Sequence, residues 1–184
     1  TDHPNGGPFT HYPRVIAWLM SKEARKKTLS KISKRARSRS DLDNMDREYS
    51  FYEIAITTRA AHAKILGLKD KGHLGAGADA DVAIYDINPR EVNPSQDYKK
   101  VRKALSKAVF TIKDGEIIVK DGDIVKSIEG RTYWVKPNLP KDLMDSMESD
   151  LAKKFRDYYT VEMENFKIQD RFITRSSPIP TYYG

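Results

Sequence analysis

The sequence predicts a fold of the α/β plus β class, with helical segments on either side of a small antiparallel sheet. Ser50 and Glu53 form a capping box of the kind that begins a helix, and the apolar residues after it recur at helical spacing. The pairs Asp114-Gly115 and Asp121-Gly122 each separate two short apolar runs, which is typical of hairpin turns. Residues 142–159 then return to helical spacing.

The segment before the capping box predicts a loop followed by two helices. Residues 1–10 contain two prolines and two adjacent glycines, so they do not form a helix. Residues 12–20 have helical apolar spacing, with Pro13 acceptable in the first turn. A second helix is expected to continue to about residue 32, before a polar loop.

The positive charge of the chain is concentrated in one segment. The 184 residues include 33 Lys and Arg against 26 Asp and Glu, a net charge of +7. Between residues 22 and 39 lie nine basic residues and one acid, a net charge of +8, which leaves −1 for the rest of the chain. The segment lacks the aromatic residues on which single-stranded bases stack, so nucleic acid is disfavoured and a surface facing a protein partner is favoured. The nine are Lys22, Arg25, Lys26, Lys27, Lys31, Lys34, Arg35, Arg37 and Arg39.

Composition excludes several classes of protein. The chain has no cysteine, which rules out disulfides and thiolate metal sites within it. No apolar run approaches the roughly 20 residues that cross a bilayer. We therefore expect a cytoplasmic protein with no membrane association.

A longer pattern resembles the exit from the barrel in the amidohydrolase superfamily. It runs from Ile56 to Leu68 as ITTRAAHAKILGL, and from Lys71 to Asp86 as KGHLGAGADADVAIYD. The resemblance implies the last strand and helix of a metal-dependent (β/α)8 barrel, then a small antiparallel β-sandwich and a C-terminal helical extension. The implied domains are residues 1–66 with a basic insertion at 22–49, residues 67–135, and residues 136–184. The glycines are expected to turn the chain out of the helix, and the Asp pair to cap the turn before the strand.

The N-terminal string TDHPNGGPFTHYPRVIAWLMS resembles one branch of that superfamily, the A subunits of formylmethanofuran dehydrogenase from methanogenic archaea. The resemblance implies zinc-dependent interconversion of formylmethanofuran with formate and methanofuran, during the reduction of CO2 to methane. It implies a binuclear zinc centre in this subunit. Tungsten- or molybdenum-pterin and iron–sulfur clusters belong to partner subunits of the implied assembly.

The same resemblance implies roles for the first residues of the chain. Asp2 would be the last metal ligand and the general base, taking a proton from a metal-bound water. His3, Asn5, Gly6 and Gly7 would contact substrate or shape the mouth of the site. The other three histidines are His11, expected near the opening, His62, expected to pack within a helix, and His73, which receives no role.

The sequence lacks the rest of the metal site that the resemblance implies. No His-x-His pair occurs, and one carboxylate cannot hold two zinc ions. We therefore expect the C-terminal third of a longer subunit, inactive alone and completed by an N-terminal barrel portion. Two alternatives remain open: the end of a dihydroorotase- or hydantoinase-like cyclic amidohydrolase, and a non-catalytic module that binds RNA or an acidic protein through its basic segment.

Overall fold

The computed structural model describes residues 3–181, and the chain separates into two units between Ser127 and Ile128. Helices form most of the first half of unit 1, and the second half contains a small sheet and one further helix. Within residues 3–181, no helix is long and apolar enough to cross a membrane. The helices of unit 1 are α1 (Tyr12–Met20), α2 (Lys22–Leu29), α3 (Lys34–Arg37), α4 (Phe51–Ala55), α5 (Ala61–Ile65) and α6 (Tyr98–Leu105).

The first helices begin largely where the sequence predicts. Helix α1 has Pro13 in its first turn, as expected. Ser21 separates it from α2, because its hydroxyl accepts the Ala24 N–H at 3.1 Å and caps the second helix. The predicted helix to residue 32 ends sooner, at Leu29, and Ser33 caps the separate short helix α3.

The predicted capping box is present at the start of α4. The Ser50 hydroxyl accepts the Glu53 N–H, and the Glu53 carboxylate accepts the Ser50 N–H. A π-helical turn, Ile56–Ala60, joins α4 to α5. Gly67 follows with φ +71°, the left-handed conformation expected of a glycine that ends a helix.

Helix α6 was not predicted, and it completes the core. Its residues Tyr98, Val101 and Leu105 recur at helical spacing, a signal that the sequence contains. Val101 is fully buried against Met20 and Ile54, which joins α6 to α1 and α4. A second cluster comprises Ala17, Ala24 and Tyr98, with Trp18 packed against it.

The predicted antiparallel sheet is confirmed in unit 1. Its strands pair in chain order, and both predicted hairpin turns close as expected. Asp114 and Gly115 both have positive φ, at 51° and 82°, and so do Asp121 and Gly122, at 51° and 84°. Two successive positive φ values match the right-handed twist of the strands they join. The strands are β1 (Val82–Ile84), β2 (Phe110–Lys113), β3 (Glu116–Lys120) and β4 (Asp123–Ile124).

Unit 2 contains a long helix and a two-stranded parallel sheet. Helix α7 (Lys141–Lys154) continues as a π-helical turn, Phe155–Tyr159, so the predicted helix over residues 142–159 is confirmed. Strand β5 (Tyr133–Lys136) pairs with β6 (Ser177–Pro180). Short 3-10 turns, Met163–Phe166 and Asp170–Phe172, lie between. Among the described residues, every fully buried hydrophobic side chain belongs to unit 1.

Candidate active-site loop and its supporting contacts

The predicted site falls on the loop that precedes α1. Asp2, the predicted metal ligand and general base, lies outside the described residues. His3 to Gly6 form an exposed turn, and Pro8 leads into the 3-10 turn Phe9–His11 that enters the helix. The candidate loop is therefore anchored at its C-terminal end by a packed helix, since α1 supplies Ala17 and Met20 to the core.

His3 is held by Phe9. Its Nδ1 accepts the Phe9 backbone N–H at 3.3 Å, and the two rings lie 4.8 Å apart between centroids at an angle of 56°. A neutral imidazole that accepts at Nδ1 carries its proton on Nε2. In that tautomer His3 offers a hydrogen-bond donor to a group outside the loop.

The three other predicted site residues differ in their surroundings. Asn5 and Gly6 are exposed, whereas Gly7 is half-buried. A Cβ atom at Gly7 would meet no other atom within 4 Å. The described residues therefore give no steric reason for a glycine at this position, and a close approach by substrate stays a prediction.

The other three histidines lie on separate parts of unit 1. His11 is exposed and follows the candidate loop. His62 is also exposed, so the expectation that it packs within the helix is wrong: it lies on the outer face of α5 while Ala63 lies on the buried one. His73 closes its own loop, with Nε2 2.9 Å from the Lys69 carbonyl oxygen and Nδ1 accepting the Gly75 N–H at 3.1 Å.

The part of the chain that the structure describes does not make up a metal site by itself. Across residues 3–181, no three His, Asp or Glu side chains converge in a way that could hold a metal ion. Zinc requires three or four protein ligands at about 2.0–2.2 Å. Any metal bound near this loop therefore needs ligands from beyond the described residues.

The loop after α5 turns tightly against the helix. Gly72 has φ +80°, and a Cβ there would come within 2.7 Å of the Ala63 Cβ and 3.0 Å of the Ala60 Cα. Both the conformation and the contact exclude a side chain. The expectation that glycines turn the chain out of the helix is confirmed at Gly67 and Gly72.

The Asp pair in the same loop forms side-chain ion pairs with Lys71. Lys71 Nζ lies 2.7 Å from an Asp79 carboxylate oxygen and 2.5 Å from one of Asp81. Asp81 also accepts hydrogen bonds from Lys113 Nζ at 3.1 Å and from the Asp114 N–H at 2.9 Å. Burial raises the pKa of Asp81, but the bonds from Lys71, Asp114 and Lys113 outweigh it and lower that pKa from 3.8 to about 2. The pair therefore ties the loop to the β2–β3 hairpin.

The basic residues of segment 22–39 are divided between internal contacts and exposed positions. Arg25 is only 2% exposed, and its guanidinium donates to the backbone carbonyls of Trp18, Met45 and Arg47. Lys22 and Arg37 are each paired with an aspartate of the following loop, Lys22 with Asp46 and Arg37 with Asp43. Part of the segment therefore binds the loop that follows it and holds that loop in place.

A sequence model of the amidohydrolase family matches residues 1–119. This chain belongs to the amidohydrolase family. The match spans the candidate loop, the helices of unit 1 and most of its sheet.

Two curated relatives and one solved structure extend the comparison. Protein FwdA of Methanocaldococcus jannaschii is 51% identical to this amidohydrolase-family chain over 174 residues, which is 94% of this chain. The A subunit of the formyltransferase/hydrolase complex Fhc of Methylorubrum extorquens is 40% identical over 170 residues, 92% of this chain. The solved structure is the formyltransferase/hydrolase complex (FhcABCD) of Methylorubrum extorquens with methylofuran. It matches all of this chain with a TM-score of 0.72 and 36% identity.

The chain spans only a fraction of these proteins. It covers 30% and 28% of the two relatives and 32% of the matched chain in the solved structure. Methylorubrum extorquens is a bacterium, so relatives of this chain are not confined to archaea.

Proposed function

We propose that this chain is part of the A subunit of a formylmethanofuran dehydrogenase or a related formyltransferase/hydrolase complex. In that subunit it contributes to amide hydrolysis, interconverting formylmethanofuran with formate and methanofuran. The observation that carries the proposal is the match of the whole chain, at 36% identity, to a chain of a complex solved with methylofuran. The 51% identity to Protein FwdA supports the same assignment.

The domain organisation is proposed on the same basis. Residues 1–66 supply the end of a (β/α)8 barrel with a basic insertion at 22–49, residues 67–135 belong to a β-sandwich, and residues 136–184 form an extension toward partner subunits. The four-stranded sheet, which lies wholly within residues 67–135, supports the middle part of this division. The two compact units of the structure divide elsewhere, between Ser127 and Ile128. A cytoplasmic location is part of the proposal, since the curated relatives are enzyme subunits.

Asp2 is proposed as the general base and as one metal ligand. As a base, its carboxylate would accept a proton from the attacking water and return it to the departing amine nitrogen. His3, Asn5, Gly6 and Gly7 would then bind substrate, with His3 Nε2 as a donor, because Nδ1 already accepts from Phe9.

The metal is proposed as zinc, held in a binuclear centre by polypeptide outside these 184 residues together with Asp2. The described residues do not fit a metal alone, so the role assigned to this chain is restricted to one ligand, Asp2, and to positioning and proton transfer. Tungsten- or molybdenum-pterin and iron–sulfur clusters would belong to partner subunits.

Asp2→Asn tests the proposal in the complete assembly. We expect formate release from formylmethanofuran to fall at least about 100-fold, because an amide cannot accept the proton. Native mass spectrometry should show the complex intact. Asp70→Asn is the control, because Asp70 is an exposed loop residue outside the candidate site.

Two results would redirect the assignment. Near-normal hydrolysis by Asp2→Asn would remove the role proposed for Asp2. Hydrolysis of dihydroorotate or hydantoin by the assembly, with none of formylmethanofuran, would favour the cyclic amidohydrolase alternative.

A further inference from the structure

A groove of about 700 Å³ lies between α1, α2 and α6 in unit 1. Its floor includes Ala17, Ala24 and Tyr98, the smaller of the two core clusters. Thr10 and His11, which follow the candidate loop, line it as well. The groove is formed by local packing of three helices whose positions are fixed by buried residues.

The groove is strongly basic and contains no acid. Six of its lining residues carry a positive charge, and none of its lining residues is an aspartate or glutamate. The six come from all three helices and from the turn after α2: Arg14, Lys27, Lys31, Lys99, Arg102 and Lys103.

These six charges are not neutralised within the part of the chain that the structure describes. None of them forms an ion pair with a described carboxylate, whereas cations elsewhere in unit 1 do. Six like charges that share one groove repel one another, so a bound anion would stabilise them. The Tyr98 hydroxyl, buried beneath the groove, also has no hydrogen-bond partner among the described residues.

Nucleic acid does not fit this groove. The only tryptophan that lines it is covered: the Arg14 guanidinium lies 5.0 Å from the ring centroid of Trp18, and the indole N–H is donated to the Thr28 hydroxyl at 2.9 Å. Tyr98, which also lines the groove, is only 8% exposed, so neither ring offers a free face for base stacking. No glycine lines the groove, so it also lacks the glycine-rich loop that cradles phosphates.

The spacing of the charges fits a carboxylate-rich peptide. Lys99 and Lys103 are four residues apart on α6, about 6 Å along the helix axis. Lys27 near the end of α2 and Lys31 in the turn after it are also four residues apart in the sequence, and both line the groove. Acidic side chains four residues apart on a partner helix repeat at about the same 6 Å interval.

We propose that this groove docks an acidic helical segment of a partner polypeptide. Its carboxylates would pair with the lysines of α6 and with Lys27 and Lys31. In this proposal Lys27 and Lys31 of the basic segment bind a partner, whereas Arg25 stabilises the chain's own fold. The binding can be measured without any assay of hydrolysis, so its failure would leave the proposed function untouched.

The first test uses fluorescein-labelled hexaglutamate and the full polypeptide that carries this sequence, freed of its partners. Fluorescence anisotropy should show saturable binding that weakens as salt is raised. The triple variant Lys27→Gln, Lys31→Gln, Lys99→Gln should weaken it about tenfold, since three charge pairs are lost together. The matched control removes three charges of the same segment that do not line the groove, through Lys26→Gln, Lys34→Gln and Arg35→Gln.

Three outcomes of this test would overturn the proposal. Equal loss in both triple variants would indicate diffuse attraction to the net charge. Tighter binding of a six-nucleotide oligouridine than of hexaglutamate would indicate a phosphate ligand. Absence of any saturable binding would show that the groove does not take carboxylates.

A second test identifies the occupant in the native assembly. Carbodiimide treatment joins lysines to carboxylates in direct contact, and mass spectrometry locates the joined residues. We expect Lys27, Lys31, Lys99 or Lys103 joined to an acidic segment of a partner subunit. Links only to carboxylates of the same polypeptide would contradict docking of a partner.

Discussion

Lys113 lies on strand β2, yet its ammonium group reaches both carboxylate oxygens of Asp81, at 3.1 and 3.2 Å. Asp81 immediately precedes strand β1, which pairs with β2. The contact therefore links two neighbouring strands at the end of their paired region. Lys71 approaches the same carboxylate from the loop after α5. One aspartate therefore joins the loop after α5, the start of β1 and strand β2.

Replacing Asp81 should lower the stability of the fold. Asp81→Asn removes the charge that Lys71 and Lys113 share, and we expect a loss of about 1–3 kcal/mol in the free energy of unfolding. Urea denaturation of the full polypeptide measures it. Asp121→Asn is the control, because Asp121 occupies a hairpin turn that asparagine also tolerates. Equal stability of the two variants would contradict the role given to Asp81.

The contribution of Asp81 to stability should decrease in acid. The pKa of Asp81 is lowered from 3.8 to about 2 in the fold, so its contribution is present above pH 3.8 and is lost as the pH falls toward about 2. The shift corresponds to about 2 kcal/mol at neutral pH. Urea denaturation at several pH values should show this slope in the wild type. The same slope in Asp81→Asn would assign it to another group.

Gly72 should tolerate no side chain. In Gly72→Ala the new methyl group would lie 2.7 Å from the Ala63 Cβ at a positive φ, and we expect a loss of about 2–4 kcal/mol. Gly77→Ala separates the two causes, because Gly77 has φ +85° and a Cβ there would meet no atom within 4 Å. Its expected loss, about 1 kcal/mol, reflects the conformation alone. Thermal unfolding compares the two variants, and equal losses would show that the contact with Ala63 relaxes freely.

Arg25 should support the loop that follows the basic segment. Arg25→Met leaves the carbonyls of Trp18, Met45 and Arg47 without their donors, and we expect a loss of about 2–4 kcal/mol. The neighbouring Lys26→Met is the control, because Lys26 is exposed and should change stability by less than about 0.5 kcal/mol. Urea denaturation measures both. If Arg25→Met is as stable as Lys26→Met, the buried bonds of Arg25 contribute nothing net.

Local rules were sufficient for several elements. Ser50 and Glu53 predicted the start of α4 because a capping box satisfies backbone donors within four residues. Asp114-Gly115 and Asp121-Gly122 predicted both hairpins because few residue pairs adopt two positive φ values in succession. Helix α6 carried an equally local signal, in Tyr98, Val101 and Leu105, that could have been found.

The candidate site was predictable only in part, because one segment carries it. The string from Thr1 to Ser21 pointed to Asp2 and to the loop after it through family resemblance. The contact that fixes His3, its hydrogen bond with Phe9, depends on how the loop folds back on the following turn. No spacing rule predicts that contact, since it joins a side chain to a backbone group six residues away in an irregular loop.

The sequence by itself determined the family, the starts of α1, α4 and α7, the hairpin turns and the location of the positive charge. These follow from interactions between residues a few positions apart, or from motifs of fixed order. Tertiary structure decided which of the nine basic residues can meet a partner. Arg25 is buried and bonded to three backbone carbonyls, whereas Lys27 lines a groove that forms because α6 packs beside α1. Burial and charge pairing depend on segments distant in the chain. For that reason the charge pattern alone could not distinguish the lysines that line the groove from the buried Arg25.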